Sequence, residues 1–226
     1  MNIVTIHQPE HLSYLGIFHK ISMCNTYVIL DNVQYVKNHY GNRNLIYGKN
    51  GKEYLTVSVK EHHQPYNEIK ISDEFYNSRL NKNIKTLEYS YKKSPYYNIY
   101  FNNFIDVYSR KYETISDMNI AIIKWILNVL EIDVNIIYAS TLNPIGKKTD
   151  LLIDILNKVN ADKYISGVSG EDYLELNKFT IPVEFQHFKH PCYTQYGHTE
   201  FIPYLSAIDG IFNVGPEIIN IIKQVN

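Results

Sequence analysis

A chain of 226 residues is long enough for one sizeable core, and its formal net charge of −1 gives no electrostatic case for binding nucleic acid or an anionic membrane. Its two cysteines, Cys24 and Cys192, form neither a disulfide framework nor a zinc pattern, so a cytoplasmic, reducing compartment is expected. No apolar run reaches the roughly 18–20 residues that span a bilayer, and no basic segment with an apolar core opens the chain as a signal peptide would, so no membrane insertion is expected.

Asn2-Ile3-Val4-Thr5-Ile6 is apolar and β-branched and predicts a short buried strand. Pro9 cannot donate to a ladder, which ends the strand and leaves His7 and Gln8 at its carboxyl end. Leu15 to Met23 has helical spacing, and Tyr27-Val28-Ile29-Leu30 is a second strand that ends on Asp31, with Gln34 close behind. Strand, helix and strand in about thirty residues is the length of a βαβ unit. Open α/β sheets bind ligands outside the carboxyl ends of their strands, so His7, Gln8, Asp31 and Gln34 define one candidate rim.

Residues 32–51, rich in Asn, Gly and Tyr, read as a loop. Lys52 to Lys60 alternates as a strand, and Glu68 to Ser72 predicts a further short one. The middle of the chain predicts three helices: Arg79 to Lys92, Tyr96 to Tyr108, and a third capped by Ser116. Together they make a helical insertion over about 75–131. A second α/β segment follows, with a strand at Val134–Tyr138, a helix at Leu151–Val159 capped by Thr149 or Asp150, and a strand at Tyr164–Ser166. A late strand covers Val183–Phe188, and short helices near Pro203–Phe212 and Pro216–Val225 close the chain. The expected architecture is a single α/β domain over 1–226, its mixed, mostly parallel, Rossmann-like sheet flanked by helices and interrupted by the helical insertion.

Several polar residues are suited to chemistry. His7 can serve as a base near neutral pH, or its polar group can simply satisfy the turn. Asp31 can accept from a hydroxyl or an amine, or cap the next turn. Asn42 and Arg43 lie in the first loop, where an arginine can grip a diphosphate or make a surface ion pair. Ser166 to Tyr173 brings two glycines and two hydroxyls together, which suits an oxyanion or phosphate, although it matches neither the GxxxxGK loop nor the GxSxG elbow. His187 and His190 lack metal-site spacing, and no metal is expected; His190 is a second candidate base. Cys192 could act as an acyl nucleophile, but the sequence supplies no base for it.

Several blocks in order resemble the WbqC-like family. They are His7-Gln8-Pro9, Gly16-Ile17-Phe18, Asp31-Asn32-Val33-Gln34, Asn42-Arg43-Asn44, Ser166 to Leu174, Phe185 to Pro191, and Leu205 to Pro216. The sequence departs from the family pattern at His11-Leu12-Ser13, where an aromatic and a proline are expected. The resemblance implies a role in O-antigen or other surface-polysaccharide assembly. It also implies an N-acyl or aminoacyl (for example glycyl) transferase acting on a nucleotide-linked amino sugar. In that scheme His7, Asp31, Ser169 and His190 are the catalytic candidates. Gln8, Gln34, Asn42, Arg43, Ser166, Gly170, Asp172, Tyr173 and His187 are the substrate-binding ones. The cofactor is undetermined, and an acyl thioester, an aminoacyl adenylate and an aminoacyl-tRNA all remain open as donors. A homodimer is possible. The alternatives are a non-catalytic sugar-nucleotide-binding partner of an assembly enzyme and an adenylate-forming enzyme.

Overall fold

A computed structural model describes residues 1–224. β1 (Ile3–His7) has the predicted alternation. Val4 and Ile6 pack into the core on one side of the sheet, which leaves Thr5 and His7 on the other. Helix α1 (Leu15–Ser22) follows, and β2 (Thr26–Ile29) returns parallel to β1, with His7 opposite Ile29. The first thirty residues are thus a βαβ unit.

The chain then leaves the sheet. β3 (Arg43–Gly48) and β4 (Gly51–Thr56) pair as an antiparallel hairpin, from Arg43 opposite Thr56 to Gly48 opposite Gly51. Residues 32–51 are therefore not all loop. The strand is masked in the sequence because two of its inward positions are asparagines, Asn42 just before it and Asn44 within it. Both are buried because they bond to nearby carbonyls: Asn42 Nδ2 to Val57 O at 2.9 Å and Asn44 Nδ2 to His11 O and Leu12 O at 3.1 and 3.0 Å. The strand expected at Glu68–Ser72 forms no ladder. Its residues bridge singly to two partners, Ile71 to Val59 and Lys70 to Thr114.

Helices α2 (Leu80–Tyr91), α3 (Tyr97–Tyr108) and α4 (Ile115–Val129) make up the expected helical insertion. The cap of α4 is Thr114 rather than Ser116. Thr114 Oγ1 accepts from the Asp117 amide at 3.1 Å and Asp117 accepts in return from the Thr114 amide at 3.3 Å, a capping box that satisfies two otherwise orphaned donors.

β5 (Asn135–Tyr138) rejoins the sheet beside β2, and the short α5 (Ala139–Leu142) leads to α6 (Thr149–Lys158). Neither Thr149 nor Asp150 caps α6. The helix starts at Thr149 after Lys148, whose φ of 52° turns the chain, and the Thr149 hydroxyl instead accepts from the Glu175 amide at 3.3 Å. β6 (Lys163–Gly167) and β7 (Val183–Gln186) follow, and α7 (Ala207–Val214) and α8 (Ile218–Lys223) end the described chain. Val225, the expected end of the last helix, lies outside the described residues.

Within the five-stranded sheet every neighbouring pair is parallel, in the order β5-β2-β1-β6-β7. Counted in order of appearance within this sheet, that is the 3-2-1-4-5 arrangement of doubly wound folds, and it reverses between β1 and β6. Tyr27 and Ile29 face the larger core, with Leu15, Phe18 and Ile21 of α1, Ile122 and Ile126 of α4, and Ile208, Ile211 and Phe212 of α7. Val4, Ile6, Val28 and Tyr164 face the smaller one, against Leu152, Ile155 and Leu156 of α6. His7 therefore points to the α1 side of the sheet.

Candidate functional site

A cleft of ≈ 410 Å³ opens where the sheet order reverses. His7, from the end of β1, lies on one wall, and Gly167, Val168 and Ser169, from the end of β6, lie on the other. The volume falls in the range of small-ligand sites. Tyr14, Ile17, Tyr40, Phe188 and Tyr204 make much of the lining apolar and aromatic.

The polar centre is built on the βα turn after β1. Lys20 follows Gly16 by four residues on α1, so both lie on the same helix face, turned to the sheet. Lys20 is 2% exposed, and its Nζ lies 3.3 Å from His7 Nδ1. On the other side of the ring, His7 Nε2 lies 3.3 Å from Glu10 Oε1, close enough for an ion-pair contact but without hydrogen-bond alignment, so Nε2 has no aligned partner. Burial and then the Lys20 charge hold His7 below its usual value, and Glu10 only partly opposes them. The imidazole is neutral at pH 7. For Glu10, burial works to raise the carboxyl, but His7 and then Lys20 and His39 outweigh it and keep it ionised. Burial pushes Lys20 down to about 8. The Tyr14 phenol is pushed up to about 12, by burial first and then by Glu10.

The turn that carries these groups is held in an uncommon conformation. Leu12 is buried at φ 46°, a left-handed position that non-glycine residues seldom take. Asn44 Nδ2 donates to the His11 and Leu12 carbonyls, one on each side of the Leu12 Cα, His11 N donates to Tyr40 O at 2.7 Å, and Asn119 Nδ2 donates to Pro9 O at 2.7 Å. A Cβ at residue 16 would run into the Tyr14 ring, so Gly16 is what lets Tyr14 lie against the start of α1. At the end of β7, Gln186 Nε2 donates to Gly16 O at 2.8 Å and lies 2.6 Å from His19 Nδ1, which ties the fifth strand to the same helix.

Of the residues the sequence singles out, His7 and Ser169 line this cleft. The others sit around it. Gln8 accepts from the Tyr66 hydroxyl at 3.4 Å. Asp31 accepts from the Ser140 amide and hydroxyl at 2.8 and 2.6 Å, holding the start of α5. Gln34 donates to backbone carbonyls of Tyr35 and Gln64. Asn42 ties to Val57, and the Arg43 guanidinium stacks 4.5 Å over the Tyr54 ring. Ser166 is buried and donates to Gly167 O at 3.1 Å. Gly170 packs so closely against it that a Cβ there would overlap the Ser166 hydroxyl. Asp172 and Tyr173 are exposed. His187 is exposed 3.3 Å from Glu171 Oε1. His190 bonds to Pro191 O at 2.9 Å through Nδ1, among the rings of Phe188, Tyr193, Phe201 and Tyr204. It therefore reaches the cleft only through the Phe188 and Tyr204 rings that line it.

Glu10, Lys20, Gln186 and Tyr204 are cleft residues that sequence reading passed over. The available signal for Lys20 was a lysine within an apolar run, Leu15 to Ile21, that is buried throughout. Glu10 sits three residues after His7 and one after Pro9, close enough to return to the ring. Tyr204 has no local signal. Its backbone is left-handed at φ 60°, and its ring lies tilted toward that of Tyr14, with centroids 6.4 Å apart. Among the described residues no group of three or more His, Cys, Asp or Glu side chains converges as a metal site would. No helix among them is long and apolar enough to cross a membrane.

Fold and cleft together define a doubly wound, parallel α/β protein whose polar centre sits at the switch point of its sheet. The chain belongs to the WbqC-like protein family, whose model matches residues 8–221. It is also similar to the uncharacterized protein Rv1507c of Mycobacterium tuberculosis (strain ATCC 25618 / H37Rv), with 25% identity over 224 residues covering 96% of each chain. No solved structure matches it significantly.

Proposed function

We propose that this protein is a cytoplasmic transferase that adds an acyl or aminoacyl group, such as glycyl, to the amine of a nucleotide-activated amino sugar during O-antigen or other surface-polysaccharide assembly. The observation that carries this reading is the pairing of an ionised Glu10 with a neutral His7 whose Nε2 has no aligned partner, 3.3 Å apart in an aromatic-walled cleft. A carboxylate accepts from the N–H groups of a neutral amine, and a neutral imidazole beside it, in the tautomer that leaves Nε2 bare, can take the one proton that the nitrogen sheds as it attacks. Tyr14, Tyr40 and Tyr204 suit the apolar face of a sugar ring.

In this scheme the amine nitrogen attacks the donor's carbonyl carbon, and its proton passes to His7 Nε2. The tetrahedral oxyanion is met by the Ser169 hydroxyl at the opposite wall. As the carbonyl re-forms, the leaving group departs with the proton from His7. The leaving group is a thiol, a nucleotide phosphate or a tRNA hydroxyl, according to the donor. Arg43 and His190, both outside the cleft, would have no direct part in this step.

The test is a mass-spectrometric search for amide product from nucleotide-linked amino sugars offered with each donor class. A product that needs His7 supports the reading. Tight binding of the sugar nucleotide without product from any donor would replace it with the non-catalytic binding partner.

A further inference from the structure

We propose that Lys20 is a proton-relay residue. Its state, ammonium or amine, selects which ring nitrogen of His7 carries the proton, and so whether Nε2 is free to act as a base. The catalytic consequence rests on the acyl-transfer reading above, whereas the tautomer switch is a property of the unliganded cleft.

The geometry leaves few alternatives. Lys20 Nζ is buried, and its one hydrogen-bond partner among the described residues is His7 Nδ1, at 3.3 Å. An ammonium is donor-only. While Lys20 is charged, Nδ1 must therefore accept, and the proton of the neutral ring sits on Nε2, facing Glu10. In that state Nε2 cannot take a proton. Once Lys20 is an amine it offers a lone pair as well as N–H groups, so the ring proton is free to move to Nδ1 and meet it, and in that tautomer Nε2 is left bare. A substrate N–H can then break as Nε2–H forms, while Nδ1–H breaks as Nζ–H forms. Lys20 ends as the ammonium, and no proton leaves the cleft.

Two further features favour such a relay over a purely structural lysine. As an ammonium, Nζ would have two N–H groups without a protein partner, and no carboxylate lies within ion-pair distance of it among the described residues. Burial also draws Lys20 down to about 8, so both of its states are reachable near neutral pH. The charged and titratable groups that face the pair are few. Glu10, from the βα turn, favours the ammonium. Cys24, at the end of α1, is pushed up to about 12 by burial and stays a thiol in this range. His39 acts on Glu10 from the loop after β2. The phenols of Tyr14, Tyr27 and Tyr66 lie within the field of Glu10, and burial raises all three.

The experiment is a long-range proton–nitrogen correlation spectrum of ring-labelled histidine protein, followed from about pH 6 to about pH 10, with the His7 signals assigned by their loss in His7→Gln. In the wild type the Nε2-protonated form should dominate at the low end and give way to the Nδ1-protonated form around pH 8. In Lys20→Arg the guanidinium stays charged, so the low-pH form should persist throughout. In Lys20→Met no inversion should occur, while unchanged signals of the buried His11 and His19 report an intact fold. A wild-type His7 that keeps one tautomer across the range would overturn the proposal, as would an inversion that survives in Lys20→Met. The readout needs no substrate, so a protein with the switch and no transferase activity would sink the functional reading and leave the relay standing.

Discussion

Replacing Lys20 with Met should stabilise the protein at neutral pH, and the structure sets the size of the effect. The side chain is 2% exposed, and burial brings it from the ordinary lysine value of 10.5 to about 8. At about 1.4 kcal/mol for each tenfold change in proton affinity, this amounts to about 3 kcal/mol against the folded state at pH 7. Met keeps the length and buries well, but it loses the hydrogen bond to His7 Nδ1, which is worth about 1 kcal/mol. The variant should therefore gain about 2 kcal/mol, or roughly 4–8 °C in Tm for a chain of this size. The sign of the pH dependence follows from the direction of the shift. Between about pH 8 and 10.5 the unfolded chain holds a proton that folded Lys20 has released, so the lysine's penalty fades as pH rises. Cys24 and the buried phenols, all raised, act in the opposite direction at the alkaline end. They titrate in both proteins, so the difference between variant and wild type isolates the lysine. Urea unfolding at a series of pH values measures that difference. A Lys20→Met protein less stable than wild type at pH 7, or an advantage that stays constant up to about pH 10, would refute the reasoning.

His7→Gln should keep the fold and lose on the order of 10²–10⁴-fold in turnover, with little change in substrate affinity. Steady-state kinetics and a melting curve check this together. Asn44→Ala should cost about 2–3 kcal/mol, because two buried carbonyls of the βα turn lose their donor, and ligand affinity should fall as the turn carrying Glu10 loosens. Thermal melting and ligand titration measure the two effects. Asp31→Ala should cost about 1–3 kcal/mol of stability through the freed Ser140 groups and leave turnover near normal; intact stability with lost turnover would return Asp31 to the reacting centre. Asp209 is pushed up to about 6, chiefly by burial, so the folded state keeps a proton that the unfolded chain releases from about pH 4 upward. Stability should fall across that window by up to about 3 kcal/mol, and Asp209→Asn should flatten the curve in acid unfolding.

The first cleft wall could be read in the sequence because its signals are local. Pro9 ends β1, β-branched alternation places His7 opposite Val4 and Ile6, and a helix of the right length returns the chain to a parallel β2. The Ser166–Ser169 stretch could be read in the same way, as a strand running out into a glycine-bearing turn. β3 could not, because its inward positions at Asn42 and Asn44 are satisfied by carbonyls distant in sequence, and polar inward residues erase the alternation that marks a strand.

By itself the sequence determined the α/β class, the βαβ opening, the helical insertion, and the place of His7 and Ser169 at strand ends. Hydrophobic period and backbone restriction act over a few residues, and those features need nothing else. Only the tertiary structure decided which strand ends meet. β6 could have joined either edge of the sheet, and its pairing with β1 is what brings Ser169 to His7, while the pairing of β5 with β2 sends Asp31 toward Ser140 instead. The same packing buries Lys20 beneath His7 and folds Glu10 back over the ring. A charge on a helix or in a turn carries no local mark of the solvent it will lose. Its protonation state, and with it its chemistry, is set by groups that reach it only when the chain closes.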